Sequence, residues 1–132
     1  MAKQIIRTQD AAPPGGPYSQ AVVAGDVVYC SGVTPTRPDG TRVDGPFETQ
    51  ARVAFDNLEA IARAAGASLG DAVRVGVYLR DLADFAQMNE LFAEYFGDHP
   101  PARTTIPADL PGFAIEIDAI LTRTAAATEE QQ

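Results

Sequence analysis

The run "FAIEIDAILTR", residues 113–123, limits the fold more than any other part of the chain. Ile115 and Ile117 fall on one side of an extended backbone, whereas Glu116 and Asp118 fall on the other. Alternation with a period of two is typical of a strand that is buried on one face. The sequence therefore predicts a long strand with a core face and a second face that carries two carboxylates.

Similar periodicities predict the other elements. Valine-rich runs around a two-residue turn indicate a hairpin, and apolar residues at helical spacing indicate two helices. In chain order we expect a hairpin around Gly25-Asp26, a helix from Pro46 to Gly66, a strand over 73–79, a helix from a cap at Asp81 or Asp84 to Gly97, a short strand in "RTTIPAD", and the strand at 113–123.

This order predicts a two-layer α+β domain over residues 1–124, followed by a flexible tail at 125–132. Each helix has a single apolar stripe, so the two helices can cover one face of a mixed sheet of four to six strands. In "AVRVGVYLR" one face of the strand is predicted to carry Val73, Val75, Val77 and Leu79, and the other Arg74, Gly76, Tyr78 and Arg80.

The helices are expected to bury the Ile115 side of the last strand, which leaves Glu116 and Asp118 uncovered by this chain. Ala114 and Ile120 are predicted to share that open face, so it is not a purely polar surface. A second subunit is the simplest cover for such a face. The carboxylates would then line a cleft between subunits.

Composition disfavours several partners and compartments. The net charge is −8 and the ten basic residues form no cluster, so nucleic acid is not an expected partner. No apolar run is long enough to cross a membrane, and the N-terminus lacks the apolar segment of a secretion signal. One cysteine allows no intrachain disulfide, which favours a reducing, cytoplasmic setting.

Several chemistries are also disfavoured. Lys3 is the single lysine and lies near the N-terminus, which argues against a Schiff base. His99 is the single histidine, so a histidine-based triad or zinc site would lack partners, and no metal is expected. Cys30 lies in a strand-like run and is interpreted as a buried, inert thiol.

Four residues are candidates for a site, and each has an ordinary alternative. Arg103 follows two prolines and could be a surface arginine or a bidentate clamp for a carboxylate. Glu116 could be a polar residue on a half-solvated strand or a buried base that activates water. Tyr18 could pack in a Gly/Pro turn, and Asn89 could be an exposed helix residue.

Four segments together resemble the Rid family of reactive intermediate deaminases, also known as YjgF or endoribonuclease L-PSP. They are "GPYSQAV", "SGVTP", "DFAQMNELFAEYF" and "PPARTT…LPG…IEIDAI". The resemblance implies a chorismate-mutase-like α+β fold and a barrel-like homotrimer with active sites between subunits. It also implies hydrolysis of 2-imino acids or their enamine tautomers to 2-keto acids and ammonia, without a cofactor.

The resemblance further implies roles for individual residues. Arg103 matches the carboxylate-binding arginine, and Glu116 matches the glutamate that holds the attacking water. The remaining implied substrate-binding residues are Tyr18, Ser31, Gly32, Asn89 and Thr105. Thr105 falls where many relatives have a cysteine whose backbone carbonyl touches the water, and a backbone role survives that change. Val33 and a shortened loop at 106–115 also depart from the family, which leaves the side-chain preference open.

Three alternatives remain open at this point. The chain could be a member specialised for one enamine or imine intermediate of a pathway. It could be a ligand-binding or chaperone-like protein on the same scaffold, since a fold does not fix a function. The older ribonuclease label is a third, which the net charge of −8 disfavours.

Overall fold

A computed structural model describes residues 2–123, so the predicted tail at 125–132 lies outside the described residues. The strands and helices follow one another in the predicted order, with one additional strand at the start of the chain. The elements are β1 (Gln4–Ile6), β2 (Ala21–Ala24), β3 (Val27–Val33), α1 (Phe47–Ala64), β4 (Ala72–Leu79), α2 (Phe85–Phe96), β5 (Ala102–Pro107) and β6 (Ile115–Thr122). Short 3₁₀ turns at Leu69–Asp71 and Leu82–Asp84 precede β4 and α2.

Within residues 2–123, six strands form one mixed sheet in the order β1-β2-β3-β6-β4-β5. β4 and β5 run parallel, whereas the other neighbouring pairs are antiparallel. A parallel pair needs a crossover, and α2 supplies it. The sequence did not indicate β1, because its three residues include a single buried side chain, Ile6.

Both predicted helices are present. Helix α1 ends before Gly66, whose positive φ of 82° favours glycine over other residues. Asp81 is the cap candidate that makes a side-chain bond, accepting from the Ala83 N–H at 2.9 Å. The helices meet through aromatic rings, as where Phe55 stacks on Tyr95 with centroids 4.7 Å apart. No helix within residues 2–123 is long and apolar enough to span a membrane.

The two faces of the sheet differ as the alternation predicts. The helices cover the face that carries Ile115 and Ile117, which are fully buried. On the opposite face Glu116, Asp118 and Ile120 are half-buried. The same face carries two exposed apolar side chains, Tyr29 and Ile106. Tyr29 is on this face because it pairs with Ile120. Ile106 is on it because it pairs with Tyr78, which in turn pairs with Glu116. This chain leaves the face open.

Two details of the predicted strands are wrong. The register of β4 against β6 shifts between Ala72 and Arg74, and Val73 in this β-bulge is 48% exposed instead of buried with Val75. The extra residue of a bulge interrupts the alternation. Strand β6 begins at Ile115, so Ala114 precedes the strand and does not lie on its open face. Ala114 is buried, and its N–H donates to Gln50 Oε1 at 2.9 Å.

Candidate active site

Glu116 lies on the open face of β6 against a glycine of the neighbouring strand. A Cβ placed on Gly32 of β3 would lie 3.0 Å from the carboxyl carbon of Glu116, and closer still to one of its oxygens. The carboxyl group therefore occupies the space that any side chain at position 32 would need. Gly32 is required for this placement of Glu116 because glycine alone has no Cβ.

Asp118 lies against a glycine on the other side of β6. Its Oδ1 accepts a hydrogen bond from the Gly76 N–H of β4 at 3.1 Å, and its Oδ2 accepts one from the Tyr78 hydroxyl at 2.9 Å. Both oxygens of Asp118 therefore have donors within this chain. The bond to Asp118, followed by burial, raises the pKa of Tyr78.

Glu116, in contrast, accepts no hydrogen bond from any residue in the described range 2–123. Burial, and after it the negative charge of Asp118, raises the pKa of the Glu116 carboxyl above its ordinary value. A raised pKa makes a carboxylate a stronger base, and perturbed groups of this kind concentrate at functional sites. Glu116 is thus an accessible base with free acceptor oxygens.

Strand β3 carries a bulge beside this carboxylate. Cys30 pairs with Ala119 and Val33 pairs with Ile117, so Ser31 and Gly32 together occupy the place of a single residue. Ser31 stabilises the bulge, because its hydroxyl donates a hydrogen bond to the Ser19 carbonyl at 2.6 Å. Bulges often re-aim side chains next to active sites.

A cleft of about 390 Å³ opens at this end of the sheet, and we call it the β3 cleft. Three residues implied by the family resemblance line it: Tyr18, Ser31 and Gly32. The Tyr18 ring is half-exposed, and its hydroxyl accepts from the Gly15 N–H at 2.9 Å. The cleft is open to solvent and has the size of small-molecule sites, about 300–1,000 Å³.

Arg103 lies on β5 opposite Val75 of β4, and therefore on the helix side of the sheet. Its guanidinium carbon lies 4.8 Å from the centroid of Phe92 and 5.6 Å from that of Phe85, and Nη1 donates to the sulfur of Met88 at 3.8 Å. Within residues 2–123 it forms no ion pair. Burial lowers the pKa of Arg103, although a guanidinium stays charged at neutral pH.

Asn89 and Thr105 lie in the same region. Asn89 is exposed on α2, four residues after Phe85 and three before Phe92, and thus on the stripe that faces Arg103. Thr105 is two residues after Arg103 and shares its side of β5. Its hydroxyl oxygen is buried without a hydrogen-bond partner among the described residues. An unpaired buried hydroxyl is costly, which favours a partner from outside the chain.

Register separates the two principal candidates. Val75 pairs with both Arg103 and Ala119, which places Arg103 on the helix side, whereas Glu116 lies on the open side two strands away. One chain therefore contains two separate groups of candidate residues. We call Glu116, Gly32, Ser31 and Tyr18 the glutamate half-site, and Arg103, Asn89 and Thr105 the arginine half-site.

Two residues near the glutamate half-site were missed by the sequence analysis. Tyr78 had a usable signal, since it alternates with Gly76 on the open face of β4. Arg42 had none, because it lies in a Pro- and Gly-rich loop without periodicity. In the structure Arg42 lines the β3 cleft, with its guanidinium carbon 4.4 Å from the centroid of the Phe113 ring.

The residues set aside on sequence grounds take the expected positions. Cys30 is buried, and burial, followed by the charge of Asp118, raises the pKa of its thiol to about 12. A thiol with that pKa is inert near neutral pH. His99 is exposed in the loop after α2. Among residues 2–123 no three His, Cys, Asp or Glu side chains are grouped so as to hold a metal ion.

Comparison with known proteins identifies the family. The family model described as Endoribonuclease L-PSP matches residues 8–122. A RutC family protein of Pyrococcus abyssi is 46% identical over 123 residues, covering 91% of this chain and 97% of the relative. The Escherichia coli K12 protein named reactive intermediate deaminase TdcF is 39% identical over 128 residues, covering 93% of this chain and 99% of that one.

Solved structures agree in fold. A Thermotoga maritima structure described as an endoribonuclease superposes with a TM-score of 0.88 at 39% identity and covers 92% of this chain and 98% of that one. A crystal structure of Escherichia coli TdcF with bound serine gives 0.86 at 37% identity and covers 92% and 99% of the two chains. The match extends over nearly the whole described sheet and both helices, so this chain belongs to the Rid family, also called the YjgF or endoribonuclease L-PSP family.

Proposed function

We propose that the protein hydrolyses reactive 2-imino acids, or their enamine tautomers, to 2-keto acids and ammonia. The observation that carries the proposal is that two charged side chains each lack one kind of partner among residues 2–123. Arg103 is a half-buried cation without an anion among residues 2–123, and Glu116 is a base of raised pKa without a hydrogen-bond donor. A substrate with a carboxylate, together with a water molecule, supplies both partners.

The two half-sites come together between neighbouring chains of a homotrimer. Arg103 and Glu116 lie on opposite faces of one sheet, so a single chain cannot place both against one small molecule. The open face presents Tyr29 and Ile106, each more than 40% exposed, which suits burial against another copy. Each site then takes its arginine half-site from one chain and its glutamate half-site from the next.

In this proposal Arg103 binds the carboxylate of the substrate. A guanidinium forms two parallel hydrogen bonds with a carboxylate, which fixes orientation as well as supplying charge. Phe85 and Phe92 hold the guanidinium in place and exclude water from one side of it. The serine bound to TdcF has a carboxylate next to a nitrogen-bearing carbon, as a 2-imino acid does.

Glu116 acts as the base. It accepts a proton from a water molecule as the water oxygen bonds to the imine carbon, and the carbon–nitrogen double bond becomes single. Glu116 returns this proton to the nitrogen, which gives the neutral tetrahedral carbinolamine. The hydroxyl group of the carbinolamine then loses its proton to Glu116, which passes it to the nitrogen, so that ammonia leaves, a carbonyl group forms and Glu116 is again ionised. Tyr18, Ser31 and Gly32 shape the pocket around the reacting carbon, and Asn89 and Thr105 contact the substrate from the arginine side.

The test is direct measurement of imine decay. Imino acids are generated with an amino acid oxidase from neutral amino acids, and their absorbance and the released ammonia are followed with and without the protein. We expect acceleration above the uncatalysed rate. Sedimentation equilibrium should give about three times the chain mass of 14.0 kDa. No acceleration, with retained binding of keto acids, would favour the ligand-binding alternative.

Replacement of Arg103 tests the carboxylate clamp. Arg103→Ala should cost about 2–5 kcal/mol of transition-state binding in kcat/KM, because a desolvated charge pair is lost. Arg103→Lys should recover part of this, since an ammonium cannot reproduce the two parallel bonds. Arg63→Ala is the matched control, because Arg63 is an exposed arginine of α1 paired with Glu59. Wild-type rates in Arg103→Ala would refute the clamp.

A further inference from the structure

The β3 cleft extends beyond the glutamate half-site to a second cation. Sixteen residues line it, and among these described residues Arg42 is the one with a charged side chain. The chain as a whole has a net charge of −8, so a cleft whose one charge is positive differs from the rest of the molecule. An anionic group is the ligand that such a lining selects.

Arg42 is held in position before any ligand binds. Its guanidinium lies over the ring of Phe113, which is itself buried. Its backbone belongs to a small hairpin in which Arg42 pairs with Thr36 and the Val43 N–H donates to the Pro35 carbonyl at 2.8 Å. A cation fixed on an aromatic ring loses little freedom when it binds an anion.

The charge of Arg42 is also not neutralised within the described chain. No ion pair joins it to a carboxylate of residues 2–123. Asp39, an acid of the same hairpin, instead accepts hydrogen bonds from the N–H and the hydroxyl of Thr41, at 2.9 and 2.7 Å. Arg42 therefore keeps its donors available to a molecule in the cleft.

The cleft that contains this cation reaches Gly32, next to the Glu116 carboxyl group. Gly32 lines the cleft and also lies against the Glu116 carboxyl group, so the two regions share a wall. A three- or four-carbon imino acid would leave much of the volume of about 390 Å³ empty. A longer side chain on a substrate whose imine carbon lies at Glu116 would extend along the cleft towards Arg42.

We propose that Arg42 determines specificity by binding a second acidic group, so that the preferred substrates are 2-imino acids with a side-chain carboxylate. This inference rests on the proposed function and names the substrate class of the same site. Arg103 holds the carboxylate next to the imine carbon, and Arg42 holds the one at the far end. The reaction is unchanged: water adds to the imine carbon and ammonia leaves.

The test compares two imines of similar length, generated by oxidases from glutamate and from methionine. Wild-type protein should prefer the glutamate-derived imine by about tenfold in kcat/KM, the scale of a charge-assisted hydrogen bond pair. Arg42→Gln should abolish this preference, mainly through KM, because Arg42 touches no reacting atom. Arg37→Gln is the control, since Arg37 is an exposed arginine of the same hairpin that does not line the cleft.

The outcomes separate this inference from the function on which it rests. Hydrolysis of both imines without a preference overturns the role of Arg42 and leaves the deaminase proposal intact. An equal loss in Arg37→Gln and Arg42→Gln also overturns it, because the effect would then be general charge. If neither imine is hydrolysed, the deaminase proposal fails. The anion site is then tested by calorimetric binding of 2-oxoglutarate, and an affinity that is the same in wild type and Arg42→Gln refutes it.

Discussion

Two carboxylates on β6 each lie against a glycine of a neighbouring strand, but they differ in their hydrogen bonds. Glu116 lies against Gly32 on one side of the strand, and Asp118 lies against Gly76 on the other. Asp118 accepts hydrogen bonds on both oxygens, from the Gly76 N–H and the Tyr78 hydroxyl. Glu116 accepts none from the described residues and has a raised pKa.

The difference shows how a sheet can hold one acid for structure and another for chemistry. A glycine makes room for each carboxylate, but only β4 also supplies donors. A half-buried carboxylate without hydrogen-bond donors keeps its oxygens available to a ligand, and carboxylates with a raised pKa concentrate at functional sites. We therefore assign the satisfied Asp118 to the stability of the open face and the unsatisfied Glu116 to the reaction.

The largest expected effect comes from exchanging each carboxylate for its amide. Glu116→Gln keeps the shape but removes the base, and should lower the rate of imine decay by about 10²–10⁴-fold. Asp118→Asn should change the rate only a few-fold, while costing about 1–3 kcal/mol of stability because an amide cannot accept from both donors. The checks are imine decay, denaturant unfolding and a sizing run for each variant.

The reverse result would overturn the assignment. An active Glu116→Gln beside an inactive but correctly assembled Asp118→Asn would show that Asp118 is the base.

The two glycines provide a smaller and complementary contrast. Gly32→Ala should push the Glu116 carboxyl group aside, and because that group is the end of a flexible side chain, we expect about a 10- to 100-fold loss of rate with little loss of stability. Gly76→Ala should displace Asp118 from its two donors, and so cost about 1–3 kcal/mol of unfolding free energy with most activity kept. Equal losses of rate in both variants would contradict the division of roles.

The smallest effect concerns pH. Glu116 must be ionised to accept a proton, so kcat/KM should fall as the pH drops through the pKa of Glu116, at a higher pH than for an ordinary glutamate. Asp118→Asn removes a negative charge that raises this pKa, and the acidic limb should move to lower pH. The shift is small because burial, the larger cause, remains. A limb that moves to higher pH would show that the two charges do not interact as described.

Sequence patterns were sufficient for the main elements of this fold because those elements are strongly periodic. The alternation around Ile115 and Ile117 predicted the core strand correctly. Val73 was wrongly placed on the buried face of β4, because a short alternating sequence does not reveal a β-bulge. Strand β1 was missed because three residues cannot establish a period.

The candidate site shows a different limit. Motifs in the sequence pointed to Arg103 and Glu116 together, but their placement on opposite faces depends on how β5, β4 and β6 are registered against one another. Register is set by long-range pairing, which no local pattern records. Arg42 was missed for a related reason, since only the folded loop brings it over Phe113.

The central claim, that each site joins an arginine half-site and a glutamate half-site from two chains, is tested most directly by mixing two inactive variants. Arg103→Ala and Glu116→Gln are unfolded together in equal amounts and refolded. In a closed trimer of randomly mixed chains, about one quarter of the interfaces would combine two intact half-sites. We predict that activity returns to about that fraction of wild type. A mixture that forms mixed trimers but stays as inactive as either variant alone would contradict the account.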